Sequence, residues 1–336
     1  MSTARPFGER PPRSGTALPV RVREFDGVSL ASRLLSTSVR RTVRPAIDAW
    51  ALAPAFPWPA ALVEHLAFPL ARVPGVRRRP VRLPSCPAEY LAAPGVDMSA
   101  PSRQTAILYL HGGAFLCCGP GTHRQLASRI SATTGAPVLN VGYRMLPGHP
   151  VRHAVEDGVA GLRWLLDQGR PIERIVIAGD SAGGFLAFSV AVESLRRGLG
   201  RPAGVVALSP LTDLDPAGKL DHPNSRCCSL FPRRAVPALA ALIDRVDAAR
   251  GGGHAPAGSP VDADLTGMPP ALIQTGSHEM TFADAELMAR RLGSAGVPCE
   301  LQIWERQVHV FQAAAALVPE AARAVAEIGA FVRSLS

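Results

Sequence analysis

The chain is almost without lysine: Lys219 is the only one among 36 basic residues. With 31 glycines, 32 prolines and abundant alanine, this reads as the codon bias of a GC-rich genome, not as selection for arginine. Aromatic residues make up 5% of the chain. No C-x-x-C pair occurs among its six cysteines, Cys86, Cys117, Cys118, Cys227, Cys228 and Cys299, so the spacing of a zinc or iron–sulfur site is absent and no metal is expected. Sequence neighbours such as Cys117 and Cys118 are poor disulfide partners, and reduced thiols in a cytoplasmic chain are expected. The first 25 residues have no apolar core, which speaks against a secretory signal. The apolar stretch 46–71 is broken by Asp48, Glu64 and four prolines and is not a membrane span. There are no internal repeats.

What is present supports a sizeable core. Apolar residues form 47% of the 336 positions, enough for one large α/β domain with a cap or for two small ones. The net charge of +9 is unevenly placed: residues 1–85 hold 14 arginines against 5 acids, and the rest of the chain is balanced. A basic N-terminal segment on a neutral domain suits either plain solvation or contact with an acidic surface, including peripheral contact with a membrane. No nucleic-acid motif accompanies it, so nucleic acid is not expected as a partner.

Residues 1–25 read as a disordered basic tail and 26–75 as helices broken by proline. From residue 105 the pattern changes. Short apolar runs at 106–110, 137–141, 174–178, 204–208, 271–275 and 299–304 alternate with helical segments near 122–134, 151–168, 183–197, 282–295 and 312–334. That alternation predicts an α/β fold, with a mostly parallel sheet covered by helices on both faces over 76–336. An interval rich in proline, glycine and polar residues, with a helical piece at 233–249, interrupts it and reads as an insertion of about 214–258 at the carboxyl edge of the sheet.

The stretch around which the rest is organised is Gly179-Asp180-Ser181-Ala182-Gly183-Gly184. A buried strand precedes it and an apolar-periodic helix follows, the setting in which G-x-S-x-G forms a nucleophile elbow with Ser181 at its apex. Small neighbours are needed because the serine sits on a sharp turn, and the helix that starts just after it aims N–H groups and a positive dipole end at developing charge. A second signal, His111-Gly112-Gly113-Ala114-Phe115, follows the strand at 106–110. A nucleophile attacking a carbonyl creates an oxyanion, which needs backbone donors. Gly112, Gly113 and Ala182 are the candidates, with His111 expected to hold the loop and Asp180 to support the motif.

The base and its acid should follow in chain order, acid then histidine. Among His222, His254, His278 and His309, only His309 lies between the last strand and the last helix, where a base belongs. His222 and His254 fall in the insertion and are expected in solvent, and His278 reads as a surface-loop residue. The acid should follow the strand at 271–275, and both Glu279 and Asp284 qualify. Its work is to fix the imidazole tautomer and stabilise its protonated form.

With these motifs in view, the chain resembles the bacterial hormone-sensitive-lipase-like family of α/β-hydrolase esterases over about residues 105–334. The motifs at His111 and Ser181 carry the resemblance, together with Tyr143-Arg144, Pro147, His149-Pro150, Ala154-Val155-Glu156-Asp157, Ser209-Pro210 and Thr212-Asp213. Gly148 stands where the family usually has Glu, Ala114 where a third glycine is frequent, and Phe185 where Asn is common. The family's acid is usually Asp, placed thirty residues before the histidine; that register falls on Glu279. The resemblance implies a serine carboxylesterase acting on small acyl esters of short to medium chain length, without a cofactor. It implies a cap made from the N-terminal helices and the insertion, and pairing of two copies through an edge strand, here 299–304. Trp58, Phe68, Phe115, Leu230 and Phe231 are candidates for the acyl pocket or for the core of the cap, and Cys117 and Cys118 for packing beside it. Amide or thioester substrates would use the same machinery. A ligand-binding protein on a dead scaffold would be expected to have lost the serine or the base, and neither is lost here.

Overall fold

The computed structural model describes residues 17–59, 63–64, 73–99 and 104–335. Nine strands form one sheet: β1 (Arg21–Phe25), β2 (Arg77–Arg82), β3 (Pro87–Ala92), β4 (Ala106–Leu110), β5 (Val138–Val141), β6 (Ile175–Asp180), β7 (Gly204–Leu208), β8 (Ala271–Gly276) and β9 (Cys299–Trp304). Their order is β1-β9-β8-β7-β6-β4-β5-β3-β2; only β2 and β3 run antiparallel to their neighbours. Side chains alternate across each strand. Leu108, Ile177, Val205 and Ile273 therefore enter one buried layer, and Ile107, Tyr109, Val176, Val206 and Leu272 the other. This is why the central strands carry apolar residues on both faces.

Helices cover both faces. On the first lie α3 (Val151–Asp167), α4 (Ala182–Arg196) and α8 (Phe282–Ser294); on the second lie α2 (Pro120–Thr134) and α9 (Pro319–Ser334). Where a helix over 312–334 is expected, a short 3-10 turn at Phe311–Ala314 comes first, and Pro319 begins α9 proper. Proline is tolerated at a helix's first turn, where its missing N–H would have no partner.

The N-terminal segment departs from expectation. Residues 21–25, read as part of a disordered tail, form β1, which runs parallel to β9 with Arg21 opposite Glu300 and Phe25 opposite Trp304. The strand was hidden because its stabilising groups are far away in sequence. Arg23 reaches Glu300 at 3.0 Å and Glu327 at 2.6 Å, and Phe25 stacks on Trp304 at 3.9 Å. As a result 299–304 is not an edge, and its free hydrogen-bonding side is taken by β1, which removes the basis for pairing of two copies there.

The remaining helices form a layer against the loops that follow β8 and β9. They are α1 (Leu30–Leu52) and, within the insertion, α5 (Ala217–Asp221), α6 (Asn224–Cys227) and α7 (Ala235–Arg250). Ser29 caps α1 through the N–H of Ser32, and its own N–H and hydroxyl donate to Glu320 at 2.5 and 2.9 Å. Ser36 meets Ser229 at 2.8 Å, and Asp48 pairs with Arg234 at 3.0 Å, tying α1 to the insertion. Glu64 sits at the start of α2 and accepts from Gly121 and Thr122 N–H at 2.5 and 3.0 Å, where the helix dipole favours a carboxylate. Among the described residues no helix is long and apolar enough to cross a membrane.

Candidate active site

Strand β6 ends at Asp180 and α4 begins at Ala182, leaving Ser181 alone on the turn with φ 53° and ψ −118°. A non-glycine residue held there costs about 1–3 kcal/mol, which the surrounding structure must impose. It is imposed by packing. A Cβ on Gly179 would overlap the carbonyl of Gly183, and one on Gly183 would overlap the carbonyl oxygen of Leu110. Ser181 N–H donates to Leu208 O at 2.9 Å, and Ser181 O accepts from Leu211 N–H at 3.0 Å, which fixes the elbow to the end of β7.

The loop after β8 and the loop after β9 bring Glu279 and His309 together. Nδ1 of His309 lies 2.6 Å from Glu279 Oε2. The other carboxylate oxygen accepts from the Thr275 hydroxyl at 2.6 Å and the Gly276 N–H at 2.7 Å. Both residues are buried, and Nε2 of His309 has no partner among the described residues. Thr281 Oγ1 stands 3.3 Å from Nδ1 while donating to Ser209 O, and Phe231 packs edge-on to the imidazole at 4.8 Å. Asp284, the other candidate acid, is engaged elsewhere. Its oxygens meet Lys219 Nζ at 3.0 Å and the N–H groups of Thr212 and Asp213 at 2.8 and 3.0 Å. Burial pushes its carboxyl up from the ordinary range, against the pull of the ammonium. The lone lysine of the chain is thus a buried counter-charge.

Beside the serine, the loop after β4 rests on a second carboxylate. Asp180 accepts from Tyr109 Oη at 2.7 Å, from Gly112 N–H at 3.0 Å and from His123 Nε2 at 3.2 Å. Gly112 N–H, expected to face an oxyanion, is therefore occupied. A Cβ on Gly112 would overlap the Asp180 carboxylate, so the glycine serves that contact. Gly113, Ala114 and Phe115 all have positive φ, turning the chain sharply. The N–H groups of Gly113, Ala114 and Ala182 have no acceptor among the described residues. His111 is fully buried, stacks on Tyr143 at 4.2 Å and contacts Gly112 O through Nδ1 at 2.7 Å; burial lowers its imidazole to about 3, so it is neutral. For His123 burial also acts downward, but the Asp180 charge outweighs it and raises the group to about 9. Asp180 is held below its ordinary value by His123 and Tyr109 although burial opposes this.

Three comparisons bear on this arrangement. Residues 107–313 match the family model described as the alpha/beta hydrolase fold. The chain is 38% identical over 318 residues to the carboxylesterase/phospholipase LipF of Mycobacterium tuberculosis, covering 94% of this chain and 84% of that protein. It is 39% identical over 293 residues to the esterase LipU of the same organism, covering 87% and 98%. Among solved structures, an esterase from the bacterial hormone-sensitive lipase family superposes with a TM-score of 0.77 at 32% identity, covering 92% of this chain and 99% of that one. The chain belongs to the hormone-sensitive-lipase-like α/β-hydrolases. It is a carboxylic ester hydrolase.

Of the other side chains of the hydrolase, some meet their sequence expectation and some depart from it. Phe115 is buried against Phe185 at 5.5 Å, and Leu230 and Phe231 are half-buried, Phe231 at His309. Trp58 is 38% exposed and donates to Ala53 O at 2.8 Å, and does not line the cavity beside His309. Phe68 lies outside the described residues. His222 is half-buried against Phe282 at 5.4 Å instead of solvated, while His254 and His278 are exposed. Cys117 and Cys118 are free thiols with sulfurs 3.8 Å apart. A cavity of about 150 Å³ adjoins His309 and Glu279, lined also by Ser36, Arg40, Cys227 and Ser229. His123 and Thr281 were not singled out in the sequence, and Ser209 only as part of the family resemblance. His123 is a threonine-histidine pair's second member at the start of a helix, and its partner is 57 positions away.

Proposed function

We propose that this esterase cleaves small acyl esters of short to medium chain length through a Ser181–His309–Glu279 triad and an acyl-enzyme. Ser181 Oγ attacks the carbonyl carbon while His309 Nε2 takes its proton. The tetrahedral oxyanion collapses, the carbon–oxygen bond to the alcohol breaks, and His309 returns the proton to the leaving alkoxide. A water molecule, deprotonated by the same nitrogen, then releases the acid. Glu279 holds the imidazole with Nδ1–H toward itself and Nε2 toward the serine. The observation that carries this reading is the 2.6 Å contact of a twice-anchored Glu279 with a buried His309 whose other nitrogen is unspent.

The oxyanion site of this proposal is built from Gly113, Ala114 and Ala182, because Gly112 N–H already donates to Asp180. Consecutive N–H groups on a turn of positive φ form a concave anion receptor, and the start of α4 adds its dipole. Helix α1 and the insertion at 214–258 act as the cap. Phe231, edge-on to His309, supports an apolar wall close to the reacting carbon.

The test is hydrolysis of p-nitrophenyl esters from acetate to palmitate. Activity should peak among the shorter acyl groups and fall by roughly 10⁴-fold or more in Ser181→Ala. An active Ser181→Ala protein, or wild type that cleaves an anilide or thioester series far better than the esters, would overturn the assignment.

A further inference from the structure

Ten large apolar side chains of the described residues are exposed, and seven of them fall within residues 30–63. Leu30 is 71% exposed, Leu34 61%, Leu52 69% and Phe56 61%, and Trp58 follows on the same segment. An isolated exposed leucine needs no explanation, but a concentration of them does. It is not an unpaired inner face. The inner face of α1 is already occupied, with Ser32 buried on Gln307 at 2.7 Å and Ser36 on Ser229 at 2.8 Å. Leu30 and Leu34, one turn apart, point the other way.

Charge selects the occupant. Helix α1 carries four arginines and one acid, and that acid, Asp48, is paired with Arg234 from the insertion. Arg33 and Arg41 are exposed and have no ion pair among the described residues. Exposed leucines beside arginines that have no ion pair among the described residues, on a helix too polar to span a bilayer and with Phe56 and Trp58 just past its end, match an anionic lipid surface: the apolar side chains enter the acyl boundary and the guanidinium groups meet phosphates. A second copy of this chain would set arginines against arginines.

The position also matters. Ser36 and Arg40 of the same helix line the cavity beside His309 and Glu279, so the exposed face is one helix thickness, about 10 Å, from it. We infer that α1 is a membrane-docking face, holding the esterase on anionic phospholipid with its site at the lipid boundary. The adhesion does not depend on the catalytic assignment, and its readout is independent of turnover.

The experiment is co-sedimentation of the full chain with sucrose-loaded vesicles, of phosphatidylcholine alone or of equimolar phosphatidylcholine and phosphatidylglycerol. Wild type should pellet with the anionic vesicles, much less with the neutral ones, and release as salt is raised. Leu30→Glu with Leu34→Glu should weaken partitioning by roughly tenfold per leucine, and Arg33→Glu with Arg41→Glu should abolish the preference for anionic lipid. Hydrolysis of soluble p-nitrophenyl butyrate, unchanged in both variants, shows that they fold. Wild type left in the supernatant, variants that pellet like wild type, or a leucine variant that only dissociates a dimer would each overturn the inference.

Discussion

Asp180–His123 and Glu279–His309 are both carboxylate–imidazole pairs, and they are wired differently. In Glu279–His309, one carboxylate oxygen is fixed by the Thr275 hydroxyl and the Gly276 N–H, the other meets Nδ1 at 2.6 Å, and Nε2 remains unspent. In Asp180–His123 both imidazole nitrogens are engaged, Nδ1 with Thr122 Oγ1 at 2.9 Å and Nε2 with Asp180 at 3.2 Å. Asp180 in turn holds Tyr109 and the Gly112 N–H. A pair with a free nitrogen can carry a proton to and from a substrate. A pair with none left can only hold position, and what it holds is the loop beside the serine. In the mechanism proposed above, the same pairing of carboxylate and imidazole serves proton transfer in one case and scaffolding in the other, and the difference lies in how many hydrogen-bonding sites each pair has already used.

The sharpest way to break this comparison is at Glu279. Glu279→Gln keeps the shape but turns an acceptor into an amide, which disfavours the tautomer with hydrogen on Nδ1. We expect kcat for p-nitrophenyl butyrate to fall by about 10³–10⁴-fold with little change in KM. Asp284→Asn, five positions on, should leave the activity per folded molecule nearly intact, since its oxygens face Lys219 and the N–H groups of Thr212 and Asp213. The reverse ranking would move the acid to Asp284 and undo the assignment.

A second, smaller effect separates charge pairing for structure from charge pairing for chemistry. Lys219→Met leaves Asp284 buried without its counter-charge, which should cost about 3–5 kcal/mol in urea unfolding. Lys219→Met combined with Asp284→Leu should recover a large part of that, because no charge is then buried alone. Intact stability in the single variant would mean that the N–H groups of Thr212 and Asp213 suffice.

How much of this was legible in the sequence depended on distance along the chain. The elbow, the glycine loop and the alternation of apolar runs are local, and the local chemistry of turns and strands specifies them. His309 and Glu279 could be put forward as a pair because each sits just past a strand, and the structure brings them within 2.6 Å of each other. Asp180–His123 and Lys219–Asp284 join residues 57 and 65 positions apart, with nothing local to mark them. β1 was missed for the same reason: Arg21 and Arg23 look like a solvated tail until Glu300 and Glu327 are placed beside them. Gly112 was legible as a residue that must lack a side chain, but not as one whose N–H serves Asp180.

The smallest effect concerns the scaffolding pair. His123 has an ordinary value of 6.5 and is raised to about 9 in the folded protein, where the Asp180 charge outweighs the opposing effect of burial. A group raised on folding gives stability that is fully present below its unfolded value and is lost as pH rises through the folded one. Wild type should therefore lose thermal stability progressively between about pH 6.5 and 9, measured as Tm against pH. His123→Gln, neutral throughout and still able to donate to Asp180, should start lower at pH 6.5 and show a shallower slope across that window. Its kcat should fall by about tenfold or less, with the pH midpoint of activity unmoved, because it touches the loop and not the base. A shifted midpoint would mean that His123 takes part in the proton transfer, and the two pairs would no longer be separable by their spare hydrogen-bonding sites.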